Sequence, residues 1–228
     1  AASTVLTNDG SGNLSWAAAS GGSFSPTVIM NASSAGLNAT RIVDGGGTSS
    51  DANHAVTLNA GTSPGAVYTR WGITNSSTGI ESGSPIFRQR IELSTAGTDF
   101  QSFHGLGLSG SIASTGITYT AKHIGFKFVR TASGIINVYA TQADGTTENA
   151  SASLTTLVAG DNLDLVAKVN GTTSVDYYWS KNFGSWSSAT NLTSNLPSGI
   201  QNYVVSGVSN VSTSSNTVLN SFNPIFER

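Results

Sequence analysis

Cysteine is absent from all 228 residues of this chain. That excludes a disulfide framework and any thiolate zinc site. A secreted animal module would more often carry a bridge, so the absence also points toward a bacterial or viral source. Charge is scarce as well: Asp, Glu, Lys and Arg together make up 10%, against about 25% in an ordinary soluble domain. Solubility must then rest on Ser, Thr, Asn and Gly, a surface of hydroxyls and amides with little long-range field. The formal net charge is −2 and Lys and Arg form no run, which argues against nucleic acid or an anionic membrane as partner. Arg88/Arg90 and Lys127/Arg130 come nearest to a basic patch and are too sparse. No apolar run approaches the ~20 residues of a membrane span. Nothing repeats convincingly at the helical period. The start at Ala1-Ala2-Ser3, with neither Met nor a charged-then-apolar leader, fits a piece of a longer chain.

Strand signals fill the space these absences leave. The apolar fraction is 38%, with 4 Trp, 6 Tyr and 9 Phe, enough for one sandwich core at this length. The clearest stretch runs from Ile124 to Trp179. Ile124, Phe126 and Phe128 alternate with Gly125 and Lys127; Leu163, Leu165 and Ala167 alternate with Asp164, Val166 and Lys168. With Ile135–Ala140 and Val175–Trp179 these make four strands, separated by the turn chemistry of 131–134, 143–145, 159–161 and Asn170-Gly171. They are expected to form one antiparallel sheet, covered by a second sheet from the rest of the chain. Further strands are expected at Thr27–Asn31, Arg41–Val43, Ala55–Asn59, Ala66–Gly72, Ile86–Leu93, Phe103–Leu108, Tyr203–Val211 and Thr217–Phe226. Residues 44–51 and 74–79 read as loops, and 98–117 as a long connection holding the short Phe103–Leu108 strand. In Ile86–Leu93 the alternation puts Phe87, Gln89, Ile91 and Leu93 on one face and Arg88, Arg90 and Glu92 on the other. The fold class is therefore all-β, an antiparallel two-sheet sandwich. Residues 1–22 form a separate hairpin or neck, strand–turn–strand over Val5–Trp16, and 23–228 the sandwich.

Two resemblances attach to particular residues. Val5-Leu-Thr-Asn-Asp-Gly-Ser-Gly-Asn-Leu-Ser-Trp16 resembles segments of phage tail-fibre and related virion proteins, where a shaft or neck precedes a globular head. Gly125-Phe-Lys-Phe128, Ile136–Ala140, Leu163–Gly171, Val175–Trp179 and Asn195–Gly199 resemble concanavalin A-like, laminin-G-type jelly rolls. Together they imply a viral structural protein of the virion, the receptor-recognition head of a tail or capsid fibre. Such a head is a homotrimer that touches neighbouring virion proteins and binds a bacterial surface glycan without catalysis. The alternatives are a carbohydrate-binding module of a secreted bacterial protein and, third, a jelly-roll glycoside hydrolase or lyase.

The chemistry-bearing residues fit binding better than catalysis. The 12 carboxylates are scattered. The Glu-x-Asp-x-Glu type of strand found in jelly-roll glycosidases does not occur, and Asp161-Asn-Leu-Asp164 reads as a turn entering a strand. His54, His104 and His123 lack metal-ligand spacing and are expected at surface or loop-packing positions. No cofactor is expected; if calcium binds, Asp44, Asp51 and Asn53 around one Gly-rich loop are the candidates. Sugar rings pack on exposed aromatics while nearby polar groups take their hydroxyls. The candidate ligand residues are accordingly Trp71, Arg88, Arg90, Tyr178 and Trp186.

Overall fold

The alternating patterns close into strands. The computed structural model describes residues 4–8, 14–18, 39–52, 55–61, 64–72, 84–95, 100–108, 110–130, 135–200, 203–211, 218–222 and 224–227. In chain order the first strands are β1 (Thr4–Asn8), β2 (Leu14–Ala18), β3 (Ala39–Gly45), β4 (Thr48–Ala52), β5 (Ala55–Asn59), β6 (Gly65–Gly72) and β7 (Ile86–Thr95). The middle of the chain gives β8 (Phe100–Gly107), β9 (Ile112–Ala113), β10 (Gly116–Ile117), β11 (His123–Arg130), β12 (Ile136–Ala143), β13 (Glu148–Ala150) and β14 (Thr155–Leu157). Last come β15 (Asn162–Asn170), β16 (Ser174–Lys181), β17 (Thr190–Leu192), β18 (Tyr203–Asn210), β19 (Val218–Phe222) and β20 (Ile225–Glu227). The described residues contain no helix.

Two antiparallel sheets face each other, and the chain is a concanavalin A-like jelly-roll sandwich. The back sheet runs β13-β12-β11-β8-β18-β6-β3, with β14 also on β12. The front sheet runs β17-β16-β15-β7-β19-β5-β4, with β20 also on β7. Phe126 and Phe128 from the back and Phe87, Leu165 and Tyr177 from the front meet in one core. The rings of Phe126 and Tyr177 cross edge-to-face at 5.3 Å, a favoured aromatic geometry. β1 and β2 pair separately, Leu6 opposite Trp16, as the expected N-terminal hairpin.

Several expectations are corrected here. The four strands of the 124–179 stretch do not form one sheet. β11 and β12 belong to the back sheet and β15 and β16 to the front, so the two hairpins face each other across the core. The reason is physical: each hairpin carries one apolar face, and placing one opposite the other buries both. The Gly-rich 44–51 segment is not a loop throughout, because Thr48–Ala52 pairs with β5 through backbone bonds that need no apolar side chain. The 98–117 connection contains an eight-residue strand, β8, between β11 and β18. Thr217–Phe226 is two strands rather than one, β19 and β20, both pairing with β7. The proposed strand Thr27–Asn31 and the loop at 74–79 lie outside the described residues.

The two outer faces differ. On the back sheet, Phe103, Tyr68 and Val205 point away from the main core, yet Leu108, Ile112 and Ile117 close over them as a second apolar layer, with Tyr119 packed alongside. This strap explains why Gly105 and Gly125 sit opposite each other. A Cβ on either would run into the opposite strand's backbone, at the Ile124 or His104 carbonyl, and come within 2.9 Å of the Phe103 ring that lies across them. The strap also buries His123, and the main core buries His104, both against the expectation of surface or loop-packing positions. His104 faces the main core beside Phe128, with ring centroids 5.0 Å apart, and His123 lies beneath the strap beside Phe103 at 5.2 Å. His54 lies outside the described residues. Among the described residues, none closes over the outer face of the front sheet in this way.

Candidate functional site

Antiparallel register sorts the outward residues of the front sheet into rows across its strands. One row is Arg90–Asp164–Ser180, the next Ile225–Arg88–Val166–Tyr178, and beyond it Ile86–Lys168–Asp176–Asn191. On the other side lies Asn220–Glu92–Asn162. Arg90, Asp164, Arg88, Val166 and Ile225 point outward because their neighbours along the strand are buried, while Ser180 is itself buried beneath the turn that follows β16. Arg88, Arg90, Asp164 and Val166 line an open groove of about 290 Å³, together with Trp186, Phe222 and Ile225. That volume is at the small end of ligand pockets, which run from roughly 300 Å³ upward.

The floor of the groove is an ion pair with two parallel bonds. Arg90 donates from Nε to Oδ1 of Asp164 at 2.7 Å and from Nη2 to Oδ2 at 3.1 Å. Side by side on neighbouring strands, the two groups form a bidentate fork that fixes both planes. The guanidinium also lies 4.8 Å from the ring centre of Phe183, within range of a cation–π contact.

Phe183 and Trp186 stand on the connection after β16, and both are largely in water, at 67% and 54% exposure. Exposed aromatics are usually mobile; these two stand on a pinned segment. Asn182 and Phe183 have φ of +51° and +60°, and the Gly184 N–H donates to the Lys181 carbonyl at 2.9 Å. This is a type I′ turn with two non-glycine residues at its centre, a conformation that costs a bulky residue about 1–2 kcal/mol. The surroundings hold it there. Asn182 donates to Oδ1 of Asp161 at 2.8 Å and accepts from the Asn162 N–H at 2.9 Å. Lys181 pairs with the other Asp161 oxygen at 2.7 Å. Burial alone would raise the Asp161 carboxyl, but the bonds from Lys181, Asn182 and the Val158 N–H outweigh it and hold the group below its ordinary value. Ser180 caps the turn by donating to the Gly184 carbonyl at 2.7 Å. Beyond Trp186, the Ser187 N–H donates to the Trp179 carbonyl at 2.8 Å and its hydroxyl accepts from Trp179 N–H at 3.1 Å. A strained turn pinned by side-chain and backbone hydrogen bonds and presenting an aromatic ring marks a functional position more strongly than exposure alone.

Of the residues singled out in the sequence, Arg88, Arg90 and Trp186 come together in this groove. Tyr178 shares the Arg88 row but does not line it. Trp71 is corrected. At 2% exposure it belongs to the core, because its indole fills the space between the sheets and leaves no face for a ligand. Asp44 is exposed and accepts the Ser114 N–H at 2.7 Å, a bond that lowers its carboxyl from the ordinary value. Asp51 lies on β4 and Asn53 outside the described residues. Among the described residues no three His, Asp or Glu side chains converge as a metal cluster. Asp164 and Phe183 were missed. In sequence Asp164 falls where a turn enters a strand, on that strand's polar face, with nothing to mark Arg90 as its partner, and Phe183 gives no signal because the Lys181-Asn-Phe-Gly184 turn is not a favoured I′ sequence.

No protein-family model matches this chain, and no curated protein does. Solved structures do. A protein of unknown function from Shewanella oneidensis MR-1 superposes with a TM-score of 0.54 at 11% identity, over 83% of this chain and 77% of that one. The CBM2 module of the evolved Dit of Lactobacillus casei BL23 phage J-1 gives 0.54 at 14% identity, over 82% and 89%. A legume lectin-like domain from Entamoeba histolytica gives 0.52 at 10% identity, again over 82% and 89%. At such identities the likeness establishes the fold, and it is the jelly-roll sandwich derived above.

Proposed function

We propose that this chain is the recognition head of a phage tail or capsid fibre, a viral structural protein that holds a bacterial surface glycan in the front-sheet groove without transforming it. One observation carries the reading: two exposed aromatic rings, held by a pinned turn, stand over a polar Arg–Asp floor. A sugar ring offers C–H faces for the first and hydroxyls for the second. The fold likeness to a phage module and to a lectin-like domain supports the same direction. Binding rather than hydrolysis follows from the floor. Asp164 is the one carboxylate among the described lining residues and is already bound to Arg90, whereas the usual hydrolytic chemistry needs two carboxyl groups flanking the scissile bond. No metal enters this reading. In it the protein assembles as a homotrimer in the virion, residues 1–22 act as the neck that leads toward neighbouring virion proteins, and 23–228 form the binding head.

A bacterial glycan array with wild-type protein and a Trp186→Ala variant tests the binding. Wild type should mark a small set of glycans and the variant should lose them at least about tenfold. Equal binding by both would remove the groove from the account.

A further inference from the structure

We infer that Asp164 is the selectivity residue of the groove, admitting uncharged saccharides and turning away acidic ones. The inference rests on the glycan reading above and adds which class of glycan is taken. A guanidinium at the bottom of a groove is an attractive site for a carboxylate, sulfate or phosphate, because its fork of N–H groups matches those oxyanions. Here that fork is already occupied. Arg90 spends Nε and Nη2 on the two oxygens of Asp164, and the phenyl ring of Phe183 lies against the same guanidinium. An anionic sugar would have to displace Asp164 or sit beside its negative charge, and either costs more than it returns. Arg88, in the next row, is engaged as well.

A neutral sugar meets a different surface. The side chains of Arg90 and Asp164 remain 43% and 20% exposed. The guanidinium can still donate from its remaining N–H groups, and each carboxylate oxygen has a second acceptor site. Two adjacent hydroxyls could then be read together, one accepting from Arg90 and one donating to Asp164. The row beside this pair sets two amides around one carboxylate: Asn220 accepts from Thr57 at 2.9 Å and donates to Ser94 at 3.1 Å and to Glu92 at 3.4 Å. No element at the groove adds a second carboxylate or a lysine to its described lining.

The test is a printed array carrying neutral, uronic, sialylated and phosphorylated bacterial glycans, read with the whole chain at about 0.05 M and about 0.5 M NaCl. Neutral hits whose intensity holds across that range support the inference. Acidic hits that fade with salt overturn it while leaving the glycan reading standing, and a blank array overturns both. An Asp164→Asn variant supplies the second readout, since it keeps the shape of the side chain but removes its negative charge and one of the two acceptors that hold Arg90. It should lose the neutral hits by about tenfold and gain acidic ones that weaken with salt. An Asp164→Asn protein with the wild-type hit pattern overturns the assignment, and a circular dichroism melt within a few degrees of wild type shows that the comparison is between folded proteins.

Discussion

At the scale of single residues the groove separates stability from binding. Phe183 holds a left-handed backbone, so Phe183→Gly relieves strain of about 1–2 kcal/mol while adding unfolded-state entropy of about 0.5–1 kcal/mol. Loss of the Arg90 contact subtracts about 0.5–1 kcal/mol more. The variant should therefore unfold in urea within about 1 kcal/mol of wild type, yet bind glycan several-fold more weakly. A severe loss of stability would show that Phe183 is a packing residue. The two buried histidines make a prediction in the other direction. Burial is the dominant cause that lowers His104 to about 3 and His123 to about 4, from 6.5; around His123 the Ala121 carbonyl and Glu148 counter it in part. Protons thus bind the unfolded chain first. Their contribution to stability is complete above pH 6.5 and is lost as pH falls toward 3–4, by about 2 kcal/mol per histidine between pH 7 and pH 5. Urea titrations at those two pH values measure it, and equal midpoints would contradict the burial of these rings.

At the scale of elements, sequence pattern was most legible where one face of a strand is wet. Ile86–Thr95 alternates buried and exposed residues as its sequence predicts, from Phe87 through Arg88 to Gln89. Gln89 illustrates what pattern cannot say. It faces the core with the apolar residues and binds Ser221 at 2.7 Å and Ser206 at 2.8 Å, joining the two sheets by a buried amide. Only the tertiary pairing of β7 with β19 and its apposition to β18 make that polar residue satisfied. The back sheet was harder to read because the strap buries its outer face too, so His123 and Gly125 sit where alternation predicts solvent. Gly125 therefore has a structural role that composition hides. Gly125→Ala should drive its methyl into the His104 carbonyl and the Gly105 Cα of the neighbouring strand, as well as the Phe103 ring 2.9 Å away, and cost about 3 kcal/mol or more in a thermal or urea melt. An unchanged midpoint would mean that β8 and β11 do not hold Gly105 and Gly125 face to face.

At the scale of the whole molecule, the sandwich was legible and its partition into sheets was not. Periodicity gives strands and faces, but which hairpin joins which sheet depends on contacts far apart in sequence, such as Phe126 against Tyr177. The groove was half legible for the same reason. Arg88, Arg90 and Trp186 carried local signals, whereas Asp164 and Phe183 acquire meaning only when β7, β15 and the turn after β16 lie side by side. Trimerisation belongs to this scale as well. Size-exclusion chromatography with light scattering should give three times the mass of one chain; a concentration-independent monomer would favour a binding module of a secreted bacterial protein. The central claim is tested most directly by a crystal structure with the strongest array glycan bound. The account predicts a sugar ring stacked on Trp186 or Phe183 with its hydroxyls at Arg90 and Asp164. A ring seated elsewhere on the sandwich, with this groove left to water, would contradict it.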